Sequence, residues 1–205
     1  MNKIQKDTEA KILEAAEKEF IINGMAGARM QEIANRAGIN KALLHYYYRS
    51  KEKLFTHVFK IAIAKFIPKI GELLKSDMKL FDFIKEFVAQ YGKIILKNQF
   101  IPLFVLSELR RNPDMLADVI LSSGINPSLF AKKINEAKQQ GLIIDVDPKS
   151  IILNMLSMII FPVAARPLIQ RLLFDNKEKE YEAYLEKRLE EIPDFIINSI
   201  KIKQS

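Results

Sequence analysis

Cysteine is absent from the 205 residues, which excludes disulfides, cysteine-ligated zinc, iron–sulfur clusters and a thiol nucleophile. Histidine is nearly as scarce: His45 and His57 are the only two, and their spacing matches no zinc pattern. No metal or cofactor is therefore expected. Of seven glycines, only Gly71, Gly92, Gly124 and Gly141 lie past the second helix, and none belongs to a phosphate-cradling loop. No Gly-x-Ser-x-Gly elbow occurs, and acids such as Glu86, Glu108 and Asp114 fit solvated or paired roles as well as catalytic ones. No catalytic residue is assigned, and an enzyme is disfavoured. The N-terminus has no signal-peptide stretch. The uncharged run from Ser150 up to Arg166 is shorter than the roughly 20 residues a membrane helix needs, and it contains Asn154, Ser157 and Pro162. Secretion and membrane spanning are not expected, and a reducing, cytoplasmic setting is compatible.

What the chain does have is an ordinary globular balance, 49% hydrophobic and 28% charged, in a length that suits one domain or two small ones. Its net charge of +7 favours polyanionic partners such as nucleic acid or anionic lipid. That charge is concentrated near the front. Arg29, Arg36, Lys41, Arg49, Lys51 and Lys53 stand against Glu32 and Glu52, whereas residues 177–205 are near neutral.

Apolar spacing of three to four runs throughout, so the expected fold is all-α. The first helix is expected from Thr8 as N-cap, burying Ile12, Ala16 and Phe20 with Leu13 beside them, and ending at Asn23-Gly24. Short helices follow over 30–37 and 41–47. A longer one is capped by Ser50 and stopped by Pro68. Further helices are expected over 80–97 and 102–111. Three cap-and-proline starts follow: Asn112-Pro113, Asn126-Pro127 and Asp147-Pro148. The helix after Pro148 is apolar nearly all round until Pro162 and Pro167 kink or break it, and a final amphipathic helix covers 178–202.

The informative stretch is Met30 to Tyr47. Two short helices crossing steeply need a small residue at the close approach, and Ala34 supplies it. The turn needs a residue tolerant of left-handed backbone, and Gly38 does so. Ile33, Ala37, Ile39, Leu44 and Tyr47 fall at buried offsets. Asn40 can cap the second helix, leaving Lys41, Ala42, Leu43 and Tyr46 outward. With Arg29, Arg49 and Lys51 on its flanks, such a helix suits a DNA major groove.

The run from Gly24 to Leu54 resembles the DNA-binding domain of TetR/AcrR-family transcriptional regulators. The shared features are a glycine after the first helix, Ile33-Ala34 in the second, Ala37-Gly38 in the turn, the aromatic cluster Tyr46-Tyr47-Tyr48, and Ser50-Lys51 with Leu54. The resemblance implies an N-terminal three-helix helix-turn-helix domain over 1–52 and a C-terminal helical ligand-binding and dimerisation domain over 53–205. It further implies a homodimer that binds a palindromic operator in double-stranded DNA, usually represses, and is released by a small-molecule effector. Asn40, Lys41, Ala42 and Leu43 would face bases or nearby phosphates, and Tyr47 and Lys51 would hold the backbone. His45 stands where the family usually has a tyrosine, Tyr48 where it has phenylalanine, and Arg29 where it has threonine. Arg29 could add a charge-assisted phosphate contact, and His45 reads as a DNA-facing or packing residue.

The pocket candidates are polar or soft residues within apolar stretches: Gln90, Tyr91, Asn98, Phe104, Glu108, Met155, Met158 and Phe161. The stretch 151–160 and the final helix are the expected dimer surface. The competing reading is an all-helical interaction or membrane-surface module with a basic face. Ala34-x-x-Ala37-Gly38, which membrane binding would not require, discriminates against it.

Overall fold

The computed structural model describes residues 3–111, 113–122 and 124–202. Among these the regular structure is helical throughout, apart from one isolated antiparallel bridge between Ile143 and Lys201. The chain divides into two compact units, Met1–Lys65 with Leu103–Leu116, and Phe66–Pro102 with Ala117–Ser205.

In the first unit, α1 (Lys3–Gly27) buries Ile12, Ala16 and Phe20, as the periodicity predicts. It starts earlier than Thr8. Its first turns are tied down by later residues, since the Tyr47 hydroxyl donates to the Gln5 carbonyl (3.4 Å) and the Tyr48 hydroxyl to Glu9 Oε1 (3.1 Å). At Gly24 the backbone swings to φ 62°, a local kink within the helix. Next come α2 (Met30–Arg36) and α3 (Lys41–Tyr47). Phe20 meets Phe55 edge-on at 4.6 Å, joining α1 to α4 (Lys51–Lys75). Pro68 does not stop α4. A proline removes one backbone donor, and burial of Ile67, Ile70, Leu73 and Leu74 around it carries the helix on.

The second unit is built on α5 (Leu80–Lys97), whose Phe83, Ile84, Phe87, Val88 and Ile95 form a buried stripe. Three helices straddle the division: α4, α6 (Phe100–Arg111), two residues longer at its start than expected, and α7 (Pro113–Ser122). The expected cap Asn112 lies outside the described residues. The other two caps form as the sequence predicts. Asn126 accepts from the Ser128 N–H at the start of α8 (Pro127–Gln139), and Asp147 from the Lys149 N–H at the start of α9 (Pro148–Ala164).

Pro162 sits inside α9, and the break comes two residues later, where α10 (Arg166–Leu173) turns away by 76°. No single described helix is long and apolar enough to cross a membrane; α9 and α10 pass that test only as this bent pair. The last helix, α11 (Glu178–Ile200), packs on α5 where Gly92 lacks a side chain, since a Cβ there would run into the Leu189 methyls. It also repairs α9. Pro162 has no N–H for the Met158 carbonyl, and Arg188 of α11 donates to that oxygen over 3.4 Å. Past α11 the chain pairs back on the α8–α9 loop, with the Ile144 N–H donating to the Ile200 carbonyl (2.9 Å) and the Ile202 N–H to the Leu142 carbonyl (3.1 Å).

Candidate nucleic-acid interface

Gly38 takes φ 68° in the turn between α2 and α3, and the Ile39 N–H closes back on the Ala34 carbonyl (3.0 Å). Ile33, Ala34 and Ala37 are buried beneath the crossing. Asn40 then caps α3, its Oδ1 accepting the Leu43 N–H at 2.7 Å. We expect Asn40→Ala to lower the stability of this module by about 1 kcal/mol in urea denaturation, and Asn40→Asp to retain most of it.

With the cap in place, α3 has two unlike faces. Leu44 is 0% exposed and anchors it, while Lys41, Ala42, Leu43, His45 and Tyr46 are exposed, Tyr46 at 76%. Ile39 and Tyr47 are half-buried, and the fully packed aromatic is Tyr48. Burial, with Glu9 beside it, pushes the Tyr48 hydroxyl above the ordinary tyrosine range. Tyr46 and Tyr47 meet edge-on at 5.7 Å, so one side of α3 is an aromatic shelf.

Basic residues flank α3 along the chain. Arg29 is the exposed N-cap residue of α2 and makes no side-chain cap bond. Arg49, in the corner between α3 and α4, is exposed as well. Arg36 is held 3.5 Å from Glu19, a buried carboxylate that also accepts from Asn23 Nδ2 at 2.8 Å. Lys51 is half-buried, and its Nζ donates to the Ala26 carbonyl (3.2 Å) and the Ala28 carbonyl (3.0 Å). Neither Glu19 nor this use of Lys51 is visible in the sequence. The partners of Lys51 are backbone atoms more than twenty residues away, and an acid at position 19 reads as a surface residue.

The pocket candidates whose side chains are described differ in burial. Met155 is fully buried, Gln90, Tyr91, Asn98 and Met158 are half-buried, and Phe161 is 63% exposed. The side chains of Phe104 and Glu108 lie outside the described residues. Gln90 donates to Glu86 (2.6 Å), and Asn98 Nδ2 donates to the Ile94 carbonyl (2.8 Å) at the end of α5. Tyr91 stacks on Phe87 at 5.3 Å, and burial raises its hydroxyl to about 12. An open cleft of 210 Å³ lies elsewhere in the second unit, among Leu74, Met78, Leu80, Leu129, Lys133 and Leu142. Among the described residues no group of three or more His, Asp or Glu could hold a metal ion.

Residues 12–58 match the family pattern described as bacterial regulatory proteins, tetR family. Over 53 residues the chain is 47% identical to the HTH-type transcriptional repressor SCO4008 of Streptomyces coelicolor, covering 26% of this chain and 28% of that one. The matched stretches span between 28% and 51% of the curated relatives' length. Likeness of fold extends further. The hemolysin II transcriptional regulator HlyIIR has a TM-score of 0.65 at 23% identity, over 97% of this chain and 99% of its own. The regulator FadR of Bacillus subtilis, solved with stearoyl-CoA, has a TM-score of 0.62 at 18% identity, over 89% and 96%. Residues 12–58 thus carry the helix-turn-helix pattern of the tetR family of bacterial regulatory proteins, and the chain as a whole shares the all-helical fold of these solved regulators.

Proposed function

We propose that the chain is a ligand-responsive transcriptional repressor that binds a palindromic DNA operator as a cytoplasmic homodimer. The observation that carries this reading is the two-faced α3, capped by Asn40, anchored by Leu44 and otherwise exposed between Arg29 and Arg49. A short helix held from behind by one leucine, with its other face open and cations near it in the chain, suits a groove lined by phosphates. Residues 1–52 would read the duplex and 53–205 would take the effector and dimerise. Lys41, Ala42, Leu43 and Tyr46 would approach base edges, with Asn40 and His45 beside them. Arg29 and Tyr47 would form the phosphate edge, with Lys51 behind it against the end of α1.

The effector reading is supported by the neighbour solved with stearoyl-CoA, and the polar and soft residues named in the sequence remain the lining candidates. The exposed Leu153, Phe161, Leu168, Leu172 and Phe195 of the second unit support a dimer surface on α9, α10 and α11.

Selection from random duplexes with the purified protein tests the reading. The expected result is a palindromic consensus with half-sites about 34–36 Å apart, or a multiple of that. Lys41→Ala and Leu43→Ala should each shift the consensus at a few positions. Binding to every duplex alike would sink the operator and favour an interaction module with a basic face.

A further inference from the structure

Lys51 is the first residue of α4, where a cation faces the positive end of its own helix dipole. Its side chain turns away from that end. The Nζ donates to Ala26 O (3.2 Å) and Ala28 O (3.0 Å), at and just beyond the last turn of α1. No backbone N–H among the described residues takes either carbonyl, and α1 has no basic residue in its own last turn. The lysine therefore supplies, from another helix, the cation and the donors that the C-terminal end of α1 lacks. An ammonium has three N–H groups, and two are committed here.

The clasped turn leads straight into the duplex-facing surface. Ala28 is buried, and Arg29 follows as the exposed N-cap of α2, with its carbonyl accepting the Ile33 N–H at 3.1 Å. Just upstream, Gly24 and Gly27 give the chain little stiffness of its own, and Gly24 holds φ 62°. We infer that Lys51 is a positioning residue: it fixes the turn at 26–28 and so aims Arg29 at the phosphate backbone, instead of spending its own charge there. The inference rests on the DNA-binding reading above.

The test uses a duplex selected by the wild-type chain and anisotropy titrations at several salt concentrations. The proteins are wild type, Arg29→Ala, Lys51→Met, Lys51→Arg and the Arg29→Ala/Lys51→Met double variant, with amide hydrogen exchange on each free protein. Lys51→Met and Arg29→Ala should each weaken binding about a hundredfold, the worth of one charge-assisted hydrogen bond in each half of the dimer. Each should also flatten the log–log salt dependence by about two units, one phosphate for each copy. The double variant should be no weaker than either single one, because the same phosphate contact is lost only once. Exchange over 24–33 should quicken in Lys51→Met and largely recover in Lys51→Arg, and Arg29→Ala should leave it unchanged.

Losses that multiply in the double variant, with exchange over 24–33 unchanged by Lys51→Met, would make Lys51 a direct phosphate ligand and overturn the inference. Should methionine unfold the module, Lys51→Gln repeats the measurement with an uncharged donor. A wild-type chain that holds no duplex overturns the DNA reading itself, and that is seen before any variant is measured.

Discussion

Raising monovalent salt from about 50 to about 200 mM should lower the affinity of the proposed dimer for its selected duplex about a thousandfold. Arg29, Lys41 and Arg49 are exposed around α3, and two copies of the module would neutralise about six phosphates. Each neutralised phosphate releases condensed counterions and contributes about −0.9 to the slope of log K against log salt, giving about −5 in all. Glu19, the buried acid of the module, faces Asn23 and Arg36. Anisotropy titration at four or five salt concentrations gives the slope directly. A slope shallower than about −2 would mean that these residues do not sit on the phosphate backbone, and the proposed placement of α3 would have to be abandoned.

Tyr181→Ala should cost the second unit about 3–5 kcal/mol, the range for deleting a buried aromatic side chain. Tyr181 is fully buried in α11, meets Phe174 edge-on at 5.0 Å, lies under the Arg166 guanidinium at 5.8 Å, and donates its hydroxyl to the Pro162 carbonyl at 2.7 Å. Tyr181→Phe keeps the ring but strands that carbonyl, for about 1–3 kcal/mol. Urea denaturation followed by circular dichroism separates the two. An alanine effect below about 1 kcal/mol would show that the ring is not part of the core.

Burial raises the pKa of this hydroxyl above the ordinary value of 10.0. The folded state therefore holds the proton more tightly than the unfolded chain does. The resulting stability is complete below pH 10 and declines as pH climbs towards the folded value. The phenylalanine variant should lack that alkaline decline.

Elements were legible where the signal is local. The bounds of α5 match the periodicity at both ends because its buried stripe is continuous from Leu80 to Ile95. The turn at Gly38 and the caps at Asn40, Asn126 and Asp147 were legible because a cap bonds within three residues of itself. Thr8 was a sound local signal overruled from a distance, since Tyr47 and Tyr48 hold the earlier turn of α1. Pro68 fails to stop α4 for the same reason, because packing outweighs one missing donor.

In the site, the outward set on α3 followed from the helical period, whereas the engagement of Lys51 depends on how three helices meet. The effector residues were the least legible. A methionine or phenylalanine in an apolar helix looks the same whether it ends up sealed, as Met155 does, or exposed, as Phe161 does.

The proline inside α9 has a consequence for how this chain can change by descent. Its missing N–H is answered by Arg188 on another helix, so the two positions are bound by an order of events. A lineage that first replaces Pro162 regains a donor for the Met158 carbonyl, and Arg188 is then free to drift. A lineage that first loses Arg188 must carry an unanswered carbonyl through every generation until the proline goes. Descendants of this chain should therefore often keep the arginine after losing the proline, and seldom keep the proline after losing the arginine.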